Sequence, residues 1–261
     1  MLYIGIDLGT SAVKLLLMDQ DGKIHKIVSK EYPLYFPKPG WSEQSPEDWW
    51  KQTRGGIKEL TAECDKSQIA GIGFGGQMQG LVILDKNDEV IRPAILWNDG
   101  RTVKETNYLN EVIGKERLSE CTANIAFAGF TAPKILWLKE NEPDNFAKID
   151  KIMLPKDYLA YRLSGCFCTD YSDASGTLLL NVKNRCWSKE MMKICDVREE
   201  QLPALFESYE VVGGIKTELA EEFGFTINVK IVAGADDNAA AAVGTGTVGE
   251  GGCNISLGTS G

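Results

Sequence analysis

The chain opens with two runs rich in Val, Ile and Leu, Tyr3–Leu8 and Ala12–Asp19, separated by Gly9-Thr10-Ser11. Apolar arms of this length on either side of a small, glycine-led bend read as a hairpin, and a second turn signal at Asp21-Gly22 precedes a β-branched run around Ile24, Ile27 and Val28. The expected result is a three-strand antiparallel meander. A bend of glycine and hydroxyl residues can turn backbone N–H groups and Thr or Ser hydroxyls toward one point, an arrangement suited to a phosphate. Asp7, just ahead of the bend, is placed to hold a hydrated divalent cation against that phosphate. The plain alternative is an ordinary hairpin with a polar tip.

Leu8-Gly9-Thr10-Ser11 recurs at the far end as Leu257-Gly258-Thr259-Ser260, again after strand-like residues, Asn254-Ile255-Ser256. A repeat at this separation suggests two related lobes, each presenting a phosphate hairpin to a shared cleft. On that reading most of the second lobe is absent from these 261 residues.

Composition removes several classes of function. The net charge is −9 and the 28 basic residues are scattered, so there is no basic stripe for nucleic acid and no attraction to an anionic membrane. A single histidine, His25, excludes histidine-based zinc sites and triads. The seven cysteines include one close pair, Cys166 and Cys168, and without further ligands at zinc spacing they read as reduced thiols of a cytoplasmic protein. No apolar run reaches the roughly 20 residues of a membrane span.

Further along, the Pro- and Gly-rich stretch 32–41 reads as a loop. Ser45-Pro46-Glu47-Asp48 then has the form of a capping box, and Trp49, Thr53 and Ile57 extend a helix to about Glu63. Ile69–Phe74 reads as a buried strand interrupted at its carboxyl end by Gly75-Gly76-Gln77-Met78-Gln79-Gly80. Strands are expected over 81–84, 94–97 and 229–233, and helices over 102–113, 133–141, 156–163, 189–195 and 217–223. Asp170–Gly176 reads as a polar turn. At 234–237 an acidic turn leads into an alanine-rich helix start, which places a carboxylate over a cleft.

Five stretches in order carry a resemblance: the opening hairpin, Gly75–Gly80, Leu96-Trp97-Asn98-Asp99-Gly100-Arg101, Gly129–Trp137 and Gly234-Ala235-Asp236-Asp237-Asn238. Together they resemble the FGGY carbohydrate kinases, in particular the xylulose-phosphorylating branch. The resemblance implies an α/β lobe of the actin-like, ribonuclease H-like type, in which parallel strands extend the three-strand antiparallel meander and helices cover both faces. Residues 1–244 would form the N-terminal sugar-binding lobe and 245–261 the start of a truncated C-terminal lobe.

It also implies ATP-dependent phosphorylation of a sugar hydroxyl with Mg²⁺ as the metal, a pentulose such as D-xylulose as acceptor, and a homodimer as one open assembly. Asp237 would be the catalytic base, with Asp236 its rival; an N-cap role is the alternative for Asp237. Gly9, Thr10, Ser11 and Lys14 would face the nucleotide phosphates from one side and Gly258, Thr259 and Ser260 from the other, with Asp7 organising the metal through water. For Lys14 a solvent-facing strand position is equally open. Met78, Gln79, Trp97, Asn98, Asp99 and Asn238 would line the sugar site, although Trp97 reads as well as core. Gln79 stands where that branch commonly has histidine, which leaves the sugar's identity open. The competing readings are a sugar-binding lobe without catalysis and an actin-like scaffold.

Overall fold

The structure is a computed structural model that describes residues 1–255. Its frame is a seven-stranded mixed sheet. Strands β1 (Leu2–Leu8), β2 (Ala12–Asp19) and β3 (Ile24–Glu31) form the expected antiparallel meander. Side chains alternate across a pleated strand, so Ile4, Ile6 and Leu8 of β1 and Val13, Leu15 and Leu17 of β2 all enter the core.

β4 (Ile69–Gly76) lies parallel to β1 with Asp7 opposite Gly75 and Leu8 opposite Gly76. The glycine run therefore belongs to the strand as far as Gly76, and the break begins at Gln77. Beyond β4, β5 (Val211–Gly214) pairs antiparallel with β6 (Lys230–Val232), which is parallel to β4. The chain then kinks at Gly234, with φ at +80°, and resumes as β7 (Ala235–Asp236), still parallel to β4 with Ala235 opposite Gly75 and Asp236 opposite Gly76. A side chain at 234 would meet the Phe74 carbonyl at 2.6 Å as well as adopt a left-handed backbone, so glycine is required there.

Helix α1 (Pro46–Leu60) buries Trp49, Thr53, Ile57 and Leu60 completely against β2 and β3. Its capping box does not form: the Ser45 side chain makes no cap bond, and Pro46 at the first position supplies the start. The helix ends at Leu60, short of Glu63. The two faces of the sheet meet at the end of β4. A side chain at Gly75 would contact Ala240 of one helix, and one at Gly76 would contact Lys156 of another. Helices thus cover both faces.

Residues between about 81 and 202 build a second apolar cluster around Leu81, Ile95, Leu118, Ile135, Leu138 and Ile152. Here the sequence reading is refined at one helix and overturned at one turn. The helix expected over 102–113 is α2 (Val103–Asn107) continued by a π-helical segment, Tyr108–Gly114. The polar turn expected at 170–176 is instead a strand end, Cys168–Asp170, running into a short helix, Tyr171–Ser175, whose cap is Asp170. All seven cysteines are free thiols, so Cys166 and Cys168 form no bridge. No helix among the described residues is long and apolar enough to cross a membrane.

Candidate active site

The carboxyl ends of β1, β4 and β7 lie side by side, the position at which open α/β sheets bind ligands. Asp7 comes from the end of β1, and Asp237 opens the helix that follows β7, Asp237–Gly244. Both carboxylates are open to solvent, yet crowding by surrounding protein raises each above the ordinary aspartate value. Lys14, directly across β1–β2 from Asp7, opposes the shift at Asp7. At Asp237 the neighbouring negative charges of Asp236 and Asp7 add to it. Asp237 is thus close enough to Asp7 to feel its charge.

The structure separates the adjacent acids. Asp236 is buried, and its carboxylate accepts a hydrogen bond from the backbone N–H of Ala239 at 2.7 Å, which makes it the N-cap of the following helix. The capping role considered for Asp237 belongs to Asp236. Asp237 is left facing outward, as is Asn238.

The Gly9–Ser11 bend closes through Gly9 N–H donating to the Ala12 carbonyl at 3.1 Å. Thr10 is tied to two distant motifs: its hydroxyl lies 3.4 Å from Gln77 Oε1 and accepts from Trp97 Nε1 at 3.1 Å. Beneath the bend, Gln44 Nε2 donates to the Thr10 carbonyl at 2.6 Å, while its Oε1 accepts from Trp49 Nε1 and from Gln77 Nε2, both at 3.1 Å. Tyr32 Oη donates to the Gly9 carbonyl. Sequence reasoning missed Gln44, Gln77 and Tyr32, because nothing in their spacing reveals that a loop, a helix start and a strand end converge under one bend. Ser11 and Lys14 are exposed at the same edge. Gly258, Thr259 and Ser260 lie outside the described residues.

Residues 2–244 match the N-terminal domain of the FGGY family of carbohydrate kinases. The chain belongs to that family. It is 44% identical over 260 residues to a xylulose kinase of Escherichia coli K12, covering all of this chain and 53% of the relative. It is 47% identical over 260 residues to a xylulose kinase of Lactococcus lactis, covering 99% of this chain and 52% of the relative. The crystal structure of a xylulose kinase from Brucella ovis superposes with a TM-score of 0.92 at 44% identity, over 96% of this chain and 52% of that one. The chain thus spans about half the length of the curated relatives it matches.

In this FGGY chain the remaining sequence-identified residues divide. Met78 and Gln79 are half-buried just past β4, and Asn98 is exposed. Trp97 is half-buried, and its ring nitrogen donates to Thr10 Oγ1. Asp99 must be corrected: its side chain is fully buried, accepting from the Ser42 backbone N–H at 2.6 Å and pairing with Arg101 at 2.8 Å, so it presents no surface to a sugar. The Arg101 side chain, with no exposed surface, stacks 3.7 Å from the Trp41 ring centroid and 4.8 Å from that of Trp137, and also pairs with Glu43. This sandwich holds the Trp97–Arg101 loop in place.

Gln79 adopts a left-handed backbone, φ +66°, uncommon for a non-glycine residue. Its carbonyl accepts from Lys134 Nζ at 2.8 Å and Thr131 Oγ1 at 3.2 Å, and Lys134 also donates to the Gly129 carbonyl at 2.7 Å. Burial lowers the Lys134 ammonium to about 7, with Asp99 opposing the shift and Arg101 adding to it. A neutral amine has two N–H bonds, enough for both carbonyls. The unfolded chain would hold a proton on this lysine up to about pH 10. Stability should therefore rise above pH 7, by about 1.4 kcal/mol per pH unit while only the unfolded state is protonated. Urea unfolding between pH 7 and 9 checks this, and Lys134→Met should remove that rise.

Proposed function

We propose that this chain is the sugar-binding lobe of an ATP-dependent kinase that phosphorylates a pentulose, D-xylulose foremost. The observation that carries the reading is the division of labour at the end of β7: Asp236 caps the helix, and Asp237 remains free over the cleft opposite Asp7. Moving a γ-phosphoryl onto a hydroxyl requires a base at that hydroxyl, cationic or N–H donors at the phosphates, and alignment of both partners. In this reading Asp237 accepts the hydroxyl proton, and its raised affinity for protons suits a group that must take one up.

Gly9, Thr10 and Ser11 turn toward the nucleotide phosphates, with Lys14 adding positive charge. Mg²⁺ typically binds through one or two carboxylates together with phosphates and water, and the open, uncapped Asp7 beside the hydroxyl bend fits that donor set. When bound, the ion would offset charge on the phosphates. Met78, Gln79, Asn98 and Asn238 present the polar and soft surface that would bind the sugar, with Gln79 able both to donate and to accept toward a hydroxyl.

Residues 245–261 would lead into a second lobe carrying the adenine site, and closure of the two lobes would exclude water, a competing acceptor. The acidic surface and free thiols suit a cytoplasmic enzyme with no nucleic acid or membrane partner, working alone or as a homodimer. An ADP-release assay on the protein carrying both lobes, with D-xylulose and Mg-ATP, tests the reading. Sugar-dependent ADP release is expected, whereas ATP hydrolysis indifferent to sugar would overturn it.

A further inference from the structure

No side chain among the described residues hydrogen-bonds the Asp237 carboxylate, so its place over the cleft is set by its backbone. Two interactions fix that backbone besides the helix cap. One is the pairing of β7 with β4. The other comes from outside the sheet: the Asp236 N–H donates to Ser172 Oγ at 3.1 Å. Ser172 in turn donates to Asp170 Oδ2 at 2.5 Å, which also accepts from Ser208 Oγ at 2.8 Å, while the other Asp170 oxygen lies 2.9 Å from Lys156 Nζ.

Lys156 has no exposed side-chain surface and is surrounded by Asp157 at 2.7 Å, Asp170, and Asp173 at 3.7 Å. Burial alone would strip its proton, but the three carboxylates hold it charged. Burial likewise pushes Asp170 up, and Lys156, Ser172 and Ser208 more than reverse this, keeping it ionised. A buried lysine among carboxylates is a costly way to fill space, since apolar side chains of similar volume generally serve stability at least as well. Its geometry accomplishes something packing does not. It sets one carboxylate where it accepts from a serine hydroxyl at the strand end that leads into Asp237. The same lysine packs beneath Gly76, two residues before Met78.

We propose that Ser172, Asp170 and Lys156 are positioning residues, a buried relay that fixes where Asp237 meets the sugar hydroxyl. This rests on the reading of Asp237 as the base. Ser172→Ala removes the link without unpairing the buried lysine, and Ser172→Thr retains a hydroxyl. In the 261-residue chain, amide hydrogen exchange at Asp236, followed by NMR, should quicken about tenfold in Ser172→Ala. In the protein carrying both lobes, kcat with D-xylulose should fall about tenfold, as expected for a slightly misplaced base, with KM changed less than about twofold. Ser172→Thr should restore both.

Unchanged exchange at Asp236, or faster exchange with kcat intact, would overturn the relay. A wild-type two-lobe protein that transfers no phosphoryl group to any sugar would overturn the base assignment itself. The exchange measurement does not depend on turnover, so the two failures are distinguishable.

Discussion

Asp237→Asn, made in the protein that carries both lobes, should lower kcat by roughly 10²–10⁴-fold, the range associated with removing a positioned general base. The amide keeps the size and hydrogen-bonding capacity of the carboxylate but cannot take a proton, so sugar affinity should change less than about threefold. Asp236→Asn is the matched control, because asparagine caps helices about as well as aspartate and the bond to Ala239 N–H should survive. A mild effect is expected there. The wild-type pH profile carries a second signature. The base acts only when ionised, and crowding by protein together with Asp236 and Asp7 raises its pKa. Activity should therefore fall on acidification with an inflection above the ordinary aspartate value. Steady-state kinetics on the two variants and across pH would check both statements, and the assignment would be wrong if Asp236→Asn were inactive while Asp237→Asn turned over.

The largest expected stability effect is at Lys156. Lys156→Met removes the one cation from a fully buried site that contains Asp157, Asp170 and Asp173. Breaking a buried pair from one side leaves uncompensated charge, and the loss should be about 3–5 kcal/mol. Asp173 already lies at the edge of tolerance: both of its oxygens are buried without a hydrogen-bond partner, and burial raises its pKa well above the ordinary value. Urea unfolding of this chain would measure the loss. Combining Lys156→Met with Asp170→Asn should recover part of it, since one of the stranded charges is gone, and the cycle would give the coupling directly. A loss below about 1 kcal/mol would mean that water or proton uptake relieves the site.

Much of the frame was legible because it rests on local pattern. Runs rich in Val, Ile and Leu at Tyr3–Leu8 and Ala12–Asp19 specify strands, and Gly9 and Gly22 mark the turns, so the meander follows from residues within about thirty positions of one another. Helices at 189–195 and 217–223 were equally plain, set by apolar spacing. What escaped was long-range. Whether Asp236 or Asp237 caps the helix depends on one backbone turn, and two adjacent acids look alike in sequence. Asp99 reads as a polar pocket residue until Arg101, Trp41 and Trp137 are seen to enclose its loop. Asp170 and Asp173 read as solvent-loving turn residues because their partner, Lys156, lies on another helix and is itself of a type almost never buried. Gln44 and Tyr32 carry no motif, Gln77 sits in the Gly75–Gly80 run with no role of its own to read there, and only the fold brings the three beneath Gly9 and Thr10.

Calorimetric titration of the 261-residue chain with D-xylulose, and separately with Mg-ATP, tests the central claim most directly. Saturable binding of D-xylulose is expected, weakened in Asn238→Ala, with no comparable heat from Mg-ATP because the adenine site is assigned to the second lobe. A folded chain that binds Mg-ATP but not the sugar would contradict the assignment of this cleft to the sugar.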